Sequence, residues 1–301
     1  MRPLRKPQAG SYVITYSISS WEPELSPETR EELLEDLEGG RVIYFPELAF
    51  SFSEEEKAFF SPYWSTEKAK NISFDPVHGQ LKGTEAAGSR RELLASLLGR
   101  FASQTQRLIR RLFPSYESGL EQGRTSFRPV EIQGRAMSVR KDDSRLHADA
   151  FPSRPTQGKR ILRVFSNVNP EGKPRKWRMG EPFAEYARRL LPRARPPAWL
   201  EPWLLEKMGI TRGRRTLYDH YMLALHDLGK EDEGYQKQGT REAFDFPAGT
   251  TWICFTDQVI HAADAGQYLL EQTFLVSPQV LRYPDNSPLG ILQTLLGKPL
   301  V

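Results

Sequence analysis

Ser-Arg-Leu-His-Ala-Asp-Ala-Phe, residues 144–151, is the stretch on which the reading of this chain turns. Side chains alternate between the two faces of a strand, so His147 and Asp149 point the same way and can grip one ion together. An isolated His-x-Asp is weak support for a metal site. It gains weight from His261, 112 residues after Asp149, in FPAGTTWICFTDQVIHAADAG (246–266), on a second strand that follows a Gly-containing turn. Two imidazoles and one carboxylate on one side of a metal, with the other side open, suit non-haem Fe(II), whose open positions take a co-substrate and O₂. Other ligand sets are poorer. His220 and His226 are six residues apart in a helical region and do not share a face, His78 stands alone in a loop, and a single cysteine makes no thiolate zinc site. The residues leave the plainer alternative open, in which both histidines are core residues and Asp149 lies on the surface.

Around this stretch the pattern is strand-like: SFRPVEIQ (126–133), RAMSVRK (135–141), SRLHADAF and KRILRVFSNVN (159–169). Helical stretches over 181–228, split by the Pro-rich RARPPAWLEPW (193–203), separate them from EAFDF (242–246), TTWICF (250–255), VIHAA (259–263) and LLEQTFLV (269–276). Strands on both sides of a helical insertion predict one antiparallel, mainly β core of the α+β class. Upstream, Ser26–Glu38 predicts an acidic helix with Ser26 as N-cap and Pro27 at the first position. RVIYF (41–45) reads as a buried strand, and Ser53 to Glu56 as a capping box. Residues 61–89 read as loop. Leu93, Leu94, Leu97, Leu98, Phe101, Leu108, Ile109 and Leu112 recur at helical spacing from Arg90 to Phe113, predicting a helix packed on a sheet. We therefore expect one domain: a mostly helical support over 1–123, a β core over 124–280 with its insertion, and a tail over 281–301.

The 301 residues are 39% hydrophobic and 27% charged, which excludes a disordered or fibrous chain. No apolar run approaches the roughly 18–20 residues needed to cross a bilayer, and the N-terminus lacks an apolar stretch followed by a cleavage site, so a cytoplasmic location is expected. Cys254, the single cysteine, lies in an apolar run and reads as a buried thiol. Net charge is +4, yet residues 154–215 hold 16 Lys/Arg against five Glu. That imbalance points to an anionic partner and does not choose among phosphate, an acidic sugar, nucleic acid and a membrane surface.

RTSFRPVEIQGRAMSVRKDDSRLHADAFPSRPTQGKRILRVFSNVNP (124–170), KWRMGEPF (176–183), PAGTTWICFTDQVIHAA (247–263) and LLEQTFLV together resemble the Kdo 3-hydroxylases of Gram-negative bacteria. The resemblance implies a double-stranded β-helix, a cupin-like jelly roll, with flanking helices. It implies Fe(II), with 2-oxoglutarate and O₂ as co-substrates, and hydroxylation of carbon 3 of the Kdo on lipid A to give Ko. His147, Asp149 and His261 match its ligand positions. Kdo-lipid A as substrate implies peripheral contact with the cytoplasmic face of the inner membrane, and no nucleic acid is expected as partner.

The distal carboxylate of 2-oxoglutarate needs a buried cation. Many oxygenases of this class resemble one another in placing it some ten residues after the distal histidine, where this chain has Glu271, Gln272 and Thr273. The strand after His-x-Asp offers Arg163 on one face, with Phe165 and Asn167, and Arg160 on the other. Arg163 is the preferred clamp, Arg160 the second choice, and Arg128, Arg135 or Arg140 the remainder. For the sugar, Arg175, Lys176, Trp177 and Arg178 offer charge beside a flat apolar surface, Arg160 is a candidate for the Kdo carboxylate if it is not the clamp, and Tyr218 and His220 are further lining candidates. Leu289, Ile291, Leu292, Leu295 and Leu296 of the tail pack on the core or another subunit, or lie on the membrane interface. Two rival readings remain at this level: an oxygenase acting on nucleic acid or protein, and a non-catalytic cupin-like binder of acidic glycolipid.

Overall fold

TTWICF is buried throughout because both of its faces are covered. In a computed structural model that describes residues 5–6, 10–66, 71–134, 137–197, 207–209, 211 and 213–301, it forms a central strand of a nine-stranded sheet. In chain order the described elements are β1 (Arg5–Lys6), β2 (Val13–Tyr16), α1 (Pro27–Glu38), β3 (Val42–Phe45), β4 (Ile72–Asp75), β5 (Gln80–Lys82), α2 (Gly88–Leu112) and β6 (Leu120–Arg128). There follow β7 (Arg160–Asn167), β8 (Arg175–Met179), α3 (Phe183–Leu190), α4 (Leu217–Glu231), α5 (Glu233–Gln238), β9 (Glu242–Phe246), β10 (Thr250–Phe255), β11 (His261–Ala265), β12 (Leu269–Val276) and α6 (Pro288–Leu296). The large sheet runs β1-β2-β3-β10-β7-β12-β6-β4-β5, and a small one runs β11-β8-β9. All pairs are antiparallel except β2 with β3.

Alternation along the strands sorts the core into layers. Ile253 and Phe255 of β10 join Leu162 and Val164 of β7 and Phe274 of β12 against Leu33 and Leu37 of α1 and Leu108, Ile109 and Leu112 of α2. Trp252, Cys254 and Phe165 face the other way, onto Trp177 and Met179 of β8 and Phe246 of β9. Each such buried large side chain contributes roughly 1.5–3 kcal/mol. The functional cavity opens within this second layer, between the two sheets.

Local signals at the helix ends are met. The Ser26 hydroxyl accepts from the Thr29 amide at 3.2 Å, and Ser53 and Glu56 cap each other's amides at 2.8 and 3.3 Å, opening a single 3₁₀ turn. The heptad-like stripe of α2 is buried against the sheet, and Cys254 is buried. Four segments differ from expectation, the first being SFRPVEIQ, which is strand only as far as Arg128. Residues 61–89 are not all loop, since β4 and β5 extend the sheet beyond β6; the alternation Ile72-Ser73-Phe74-Asp75 is too short to stand out among Pro and Gly. RAMSVRK is no strand where it is described, holding instead a 3₁₀ turn at Val139–Lys141. SRLHADAF is no regular strand either: it meets the small sheet through one bridge, in which His147 and His261 exchange amide–carbonyl bonds of 3.0 and 2.9 Å. The tail packs on the core, with Leu289, Leu292 and Leu300 buried among residues of α3 and α4. No helix among the described residues is long and apolar enough to cross a membrane.

Candidate metal centre and anion pocket

The His147–His261 bridge fixes the two backbones side by side, and their rings lie 4.7 Å apart between centroids. Asp149 is anchored by its amide to the Thr256 carbonyl at 2.8 Å, and its Oδ1 approaches His147 Nε2 at 3.4 Å. One potential ligand atom from each of the three residues falls within 4.8 Å of the others. The shared face expected from strand alternation is thus reached, although only one bridge enforces it.

Each imidazole is held in the tautomer a metal needs. His147 Nδ1 donates to the Arg145 carbonyl at 2.7 Å and His261 Nδ1 to the Val259 carbonyl at 2.8 Å. A carbonyl only accepts, so both Nε2 lone pairs are left free. Burial pushes His147 down to about 4 and lowers His261 as well, keeping both rings neutral near pH 7. Burial would raise the Asp149 carboxyl, but the Arg163 guanidinium and the His147 ring outweigh it and hold it well below the ordinary carboxylate range. A histidine whose folded value is depressed favours the unfolded state when protons are plentiful. The metal-free protein should therefore lose stability as pH falls from about 6.5 towards 4, by at most about 1.4 kcal/mol per pH unit per histidine. Urea titrations across that range would measure the slope, and a flat profile would contradict neutral buried rings.

Beside the triad lies a cavity of about 180 Å³ walled by Arg128, Arg163 and Arg175, with Asp143, Trp177 and Glu271 among its other residues. Arg163 reaches Asp149 Oδ2 at 3.1 Å and Glu271 Oε1 at 2.8 Å. Arg128 reaches Glu271 Oε2 at 2.6 Å and Asp143 Oδ2 at 3.4 Å. Arg175 differs from both. It is 3% exposed, donates to the Gly266 carbonyl at 2.8 Å, and meets no carboxylate within ion-pair distance among the described residues. Burial, reinforced by the nearby Arg128 charge, pushes it down to about 9. Gly266 is required here, because at φ +127° a Cβ would stand 2.6 Å from Arg175 Cδ. Nε of all three arginines and Nε1 of Trp177 are buried donors without an acceptor. Unsatisfied buried N–H groups are costly, and these four belong to residues that line one cavity.

The other sequence candidates are placed elsewhere. Arg160 is 1% exposed on the helix-facing side of β7, bonded to Asp257 at 2.8 Å and Gln258 at 2.6 Å, with its guanidinium over the Phe255 ring. It reaches neither the triad nor the cavity, because its partners lie on the opposite side of the sheet. Arg178 points away from Trp177 and Arg175 by strand alternation and grips Asp264 with bonds of 2.7 and 2.9 Å, while Lys176 is exposed near Asp245. Trp177 is 3% exposed and stacks on His261 at 5.0 Å, so it is a wall of the cavity and no open platform for a sugar. His220 holds the Arg195 carbonyl at 2.8 Å, and Tyr218 is buried in the cluster beneath α3 and α4, so neither lines this cavity. Arg140 is on the surface with Asp227 and Glu231, and Arg135 lies outside the described residues. Sequence reading missed Asp143 and the pairing role of Glu271, an acid on a buried strand, and weighed His226 only as a metal ligand, whereas its ring lies edge-on to His147 at 5.3 Å.

The basic block is matched largely by acids from elsewhere in the chain. Lys159 pairs with Glu121, Arg160 with Asp257, Arg178 with Asp264 and Arg193 with Asp232.

Comparison with known proteins agrees with this geometry. A family model described as 3-deoxy-D-manno-oct-2-ulosonic acid (Kdo) hydroxylase matches residues 20–299. Crystal structures of the Kdo hydroxylase KdoO, described as a non-heme Fe(II) α-ketoglutarate-dependent dioxygenase, are similar. The complex with α-ketoglutarate and Fe(III) is 54% identical, covers 96% of this chain and 97% of that one, and superposes with a TM-score of 0.93. The cobalt(II) complex is 55% identical over 97% and 98% with a TM-score of 0.94, and the apo structure is 55% identical over 96% and 97% with a TM-score of 0.93. No curated protein matches the sequence.

Proposed function

This chain belongs to the Kdo hydroxylase family, and from that membership we propose that it hydroxylates carbon 3 of the Kdo in Kdo-lipid A to give Ko, using Fe(II), 2-oxoglutarate and O₂. The observation that carries this reading is the adjacency of a neutral-His, ionised-Asp triad to a cavity whose buried donors lack acceptors. The donor set fits the metal: two free imidazole nitrogens and one carboxylate suit ferrous iron, and the three arginines that line the cavity suit a carboxylate-bearing co-substrate beside it.

His147, Asp149 and His261 would hold the iron, which supplies the O₂ chemistry that oxidises 2-oxoglutarate and the sugar C–H bond. Arg163 holds Asp149 Oδ2 and thereby turns Oδ1 towards the histidines. Arg175, with no acid of its own, takes the distal carboxylate of 2-oxoglutarate, and Trp177 Nε1 supplies a further donor. This moves the clamp from Arg163 and Arg160 to a strand of the small sheet. Both histidines of the triad are buried, which limits the water around the reacting centre.

We read the two facing sheets as a double-stranded β-helix within a single domain. Kdo-lipid A is membrane-embedded, so the enzyme meets it at the cytoplasmic face of the inner membrane as a peripheral protein. The test is mass spectrometry of Kdo-lipid A after incubation with protein, Fe(II), 2-oxoglutarate and O₂: a gain of one oxygen on the sugar is expected, and unmodified sugar with the metal loaded would refute the substrate. Arg175→Gln should raise KM for 2-oxoglutarate roughly 10–100-fold, the value of a charged hydrogen-bonded pair, with an unchanged melting profile. An unaltered KM would return the clamp to another residue.

A further inference from the structure

On one side the backbone at His147 pairs with that of His261. Successive residues of an extended chain turn their amide and carbonyl groups to opposite sides, so those of Leu146 point away from that bridge. No strand lies there among the described residues. The place is taken by the side chain of Gln236 on α5: the Leu146 amide donates to Gln236 Oε1 at 2.8 Å, and Gln236 Nε2 donates to the Leu146 carbonyl at 3.0 Å. One primary amide thus makes the donor–acceptor pair that a neighbouring strand would make. Its second N–H meets the Gly229 carbonyl at 2.8 Å, one of the carbonyls left over at the end of α4. Only this orientation of the amide satisfies all three partners, since the flipped group would set donor against donor at Leu146.

Leu146 lies between the two groups that define the metal ligand. After it comes His147 itself, and before it Arg145, whose carbonyl accepts from His147 Nδ1 at 2.7 Å. Arg145 returns its own side chain to the corner between α4 and α5, donating from Nε to the Lys230 carbonyl at 2.5 Å and pairing with Glu233. The loop and the corner are therefore laced in both directions. We propose that Gln236 is a positioning residue for the metal centre: its side-chain amide stands in for an absent strand and holds residue 146 so that His147 Nε2 faces Asp149 and His261. The helices between β8 and β9 thereby have a task at the metal centre. The proposal rests on the reading of the triad as a metal site.

The test is anaerobic Co(II) titration of the full chain. Gln236→Leu has a similar volume and removes both halves of the pair. It should weaken Co(II) binding about 10–100-fold, the usual cost of losing a group that orients a metal ligand. It should also alter the cobalt ligand-field spectrum, and speed amide exchange in residues 144–149 of the metal-free protein relative to β7. With metal saturating, kcat should fall while KM for 2-oxoglutarate holds, because Arg128, Arg163 and Arg175 stand on β6, β7 and β8. Gln236→Glu keeps the acceptor for the Leu146 amide and loses the donor, so it should show a smaller loss in the same direction, which covers the case in which the leucine variant folds poorly. Ser26→Ala, which uncaps α1 and touches none of these groups, should lower the melting temperature and leave Co(II) affinity at the parent level. Unchanged affinity and exchange in Gln236→Leu, or an equal loss of affinity in Ser26→Ala, overturns the proposal. Failure of the underlying reading looks different: the parent protein itself would then show no saturable Co(II) phase.

Discussion

Replacing His147 or Asp149 by alanine should bring succinate release and sugar hydroxylation below detection while the fold survives. Loss of a residue that merely supports a metal ligand costs about 10–100-fold in affinity or activity, and these residues are the ligands themselves. Neither side chain closes the hydrophobic layers: the amide–carbonyl exchange between residues 147 and 261, and the bond from the Asp149 amide to the Thr256 carbonyl, belong to the backbone and persist in the variants. Far-ultraviolet circular dichroism and a thermal melt should overlay those of the parent, whereas Co(II) titration should lose its saturable phase. Stoichiometric, tight metal in either variant, or turnover near the parent rate, would mean that the ion is held elsewhere.

Asp257→Ala should be the most destabilising single change away from the metal centre, by about 3–5 kcal/mol, the cost of stranding one member of a buried ion pair. Arg160 and Asp257 are each 1% exposed, and the guanidinium's other support is the Gln258 side chain at 2.6 Å. Removing the carboxylate leaves a full charge among Phe255, Tyr116 and Tyr218 with no route to water. Replacing both members, Arg160→Met with Asp257→Leu, should cost much less, because apolar groups of similar volume need no compensation. Denaturant midpoints at constant slope measure both variants. A double variant as unstable as Asp257→Ala would indicate that volume, not charge, governs the site. Kinetics should separate this pair from the cavity, since the KM for 2-oxoglutarate is expected to be unchanged in the double variant.

Much of the architecture was legible because periodicity is local. The α2 stripe, the caps at Ser26 and Ser53, the alternation in KRILRVFSN and the strand TTWICF each follow from a few neighbouring residues, and each is met. So is the split of Arg160 and Arg163 to opposite faces of β7. The triad was legible for a different reason: the ligand residue types are few, and the alternative sets among five histidines fail on spacing. Strands β4 and β5 were not legible, because each is only three or four residues long, β4 owes its place to the open edge of β6, a partner some 50 residues away, and β5 pairs with β4 alone.

What the sequence determined by itself is therefore the longer elements and the three ligand side chains, since backbone geometry and ligand chemistry depend on residue type and short spacing. Which arginine lacks a carboxylate partner was decided only by the tertiary structure. Arg128, Arg163 and Arg175 are alike as residues and all reach the same cavity, and they differ in whether a carboxylate from a neighbouring strand arrives first. Glu271 meets two of them because β12 runs between β6 and β7, whereas Arg175 sits on the opposite sheet, beyond its reach. Coulombic pairing depends on distance through space, and strand order, not proximity along the chain, sets that distance.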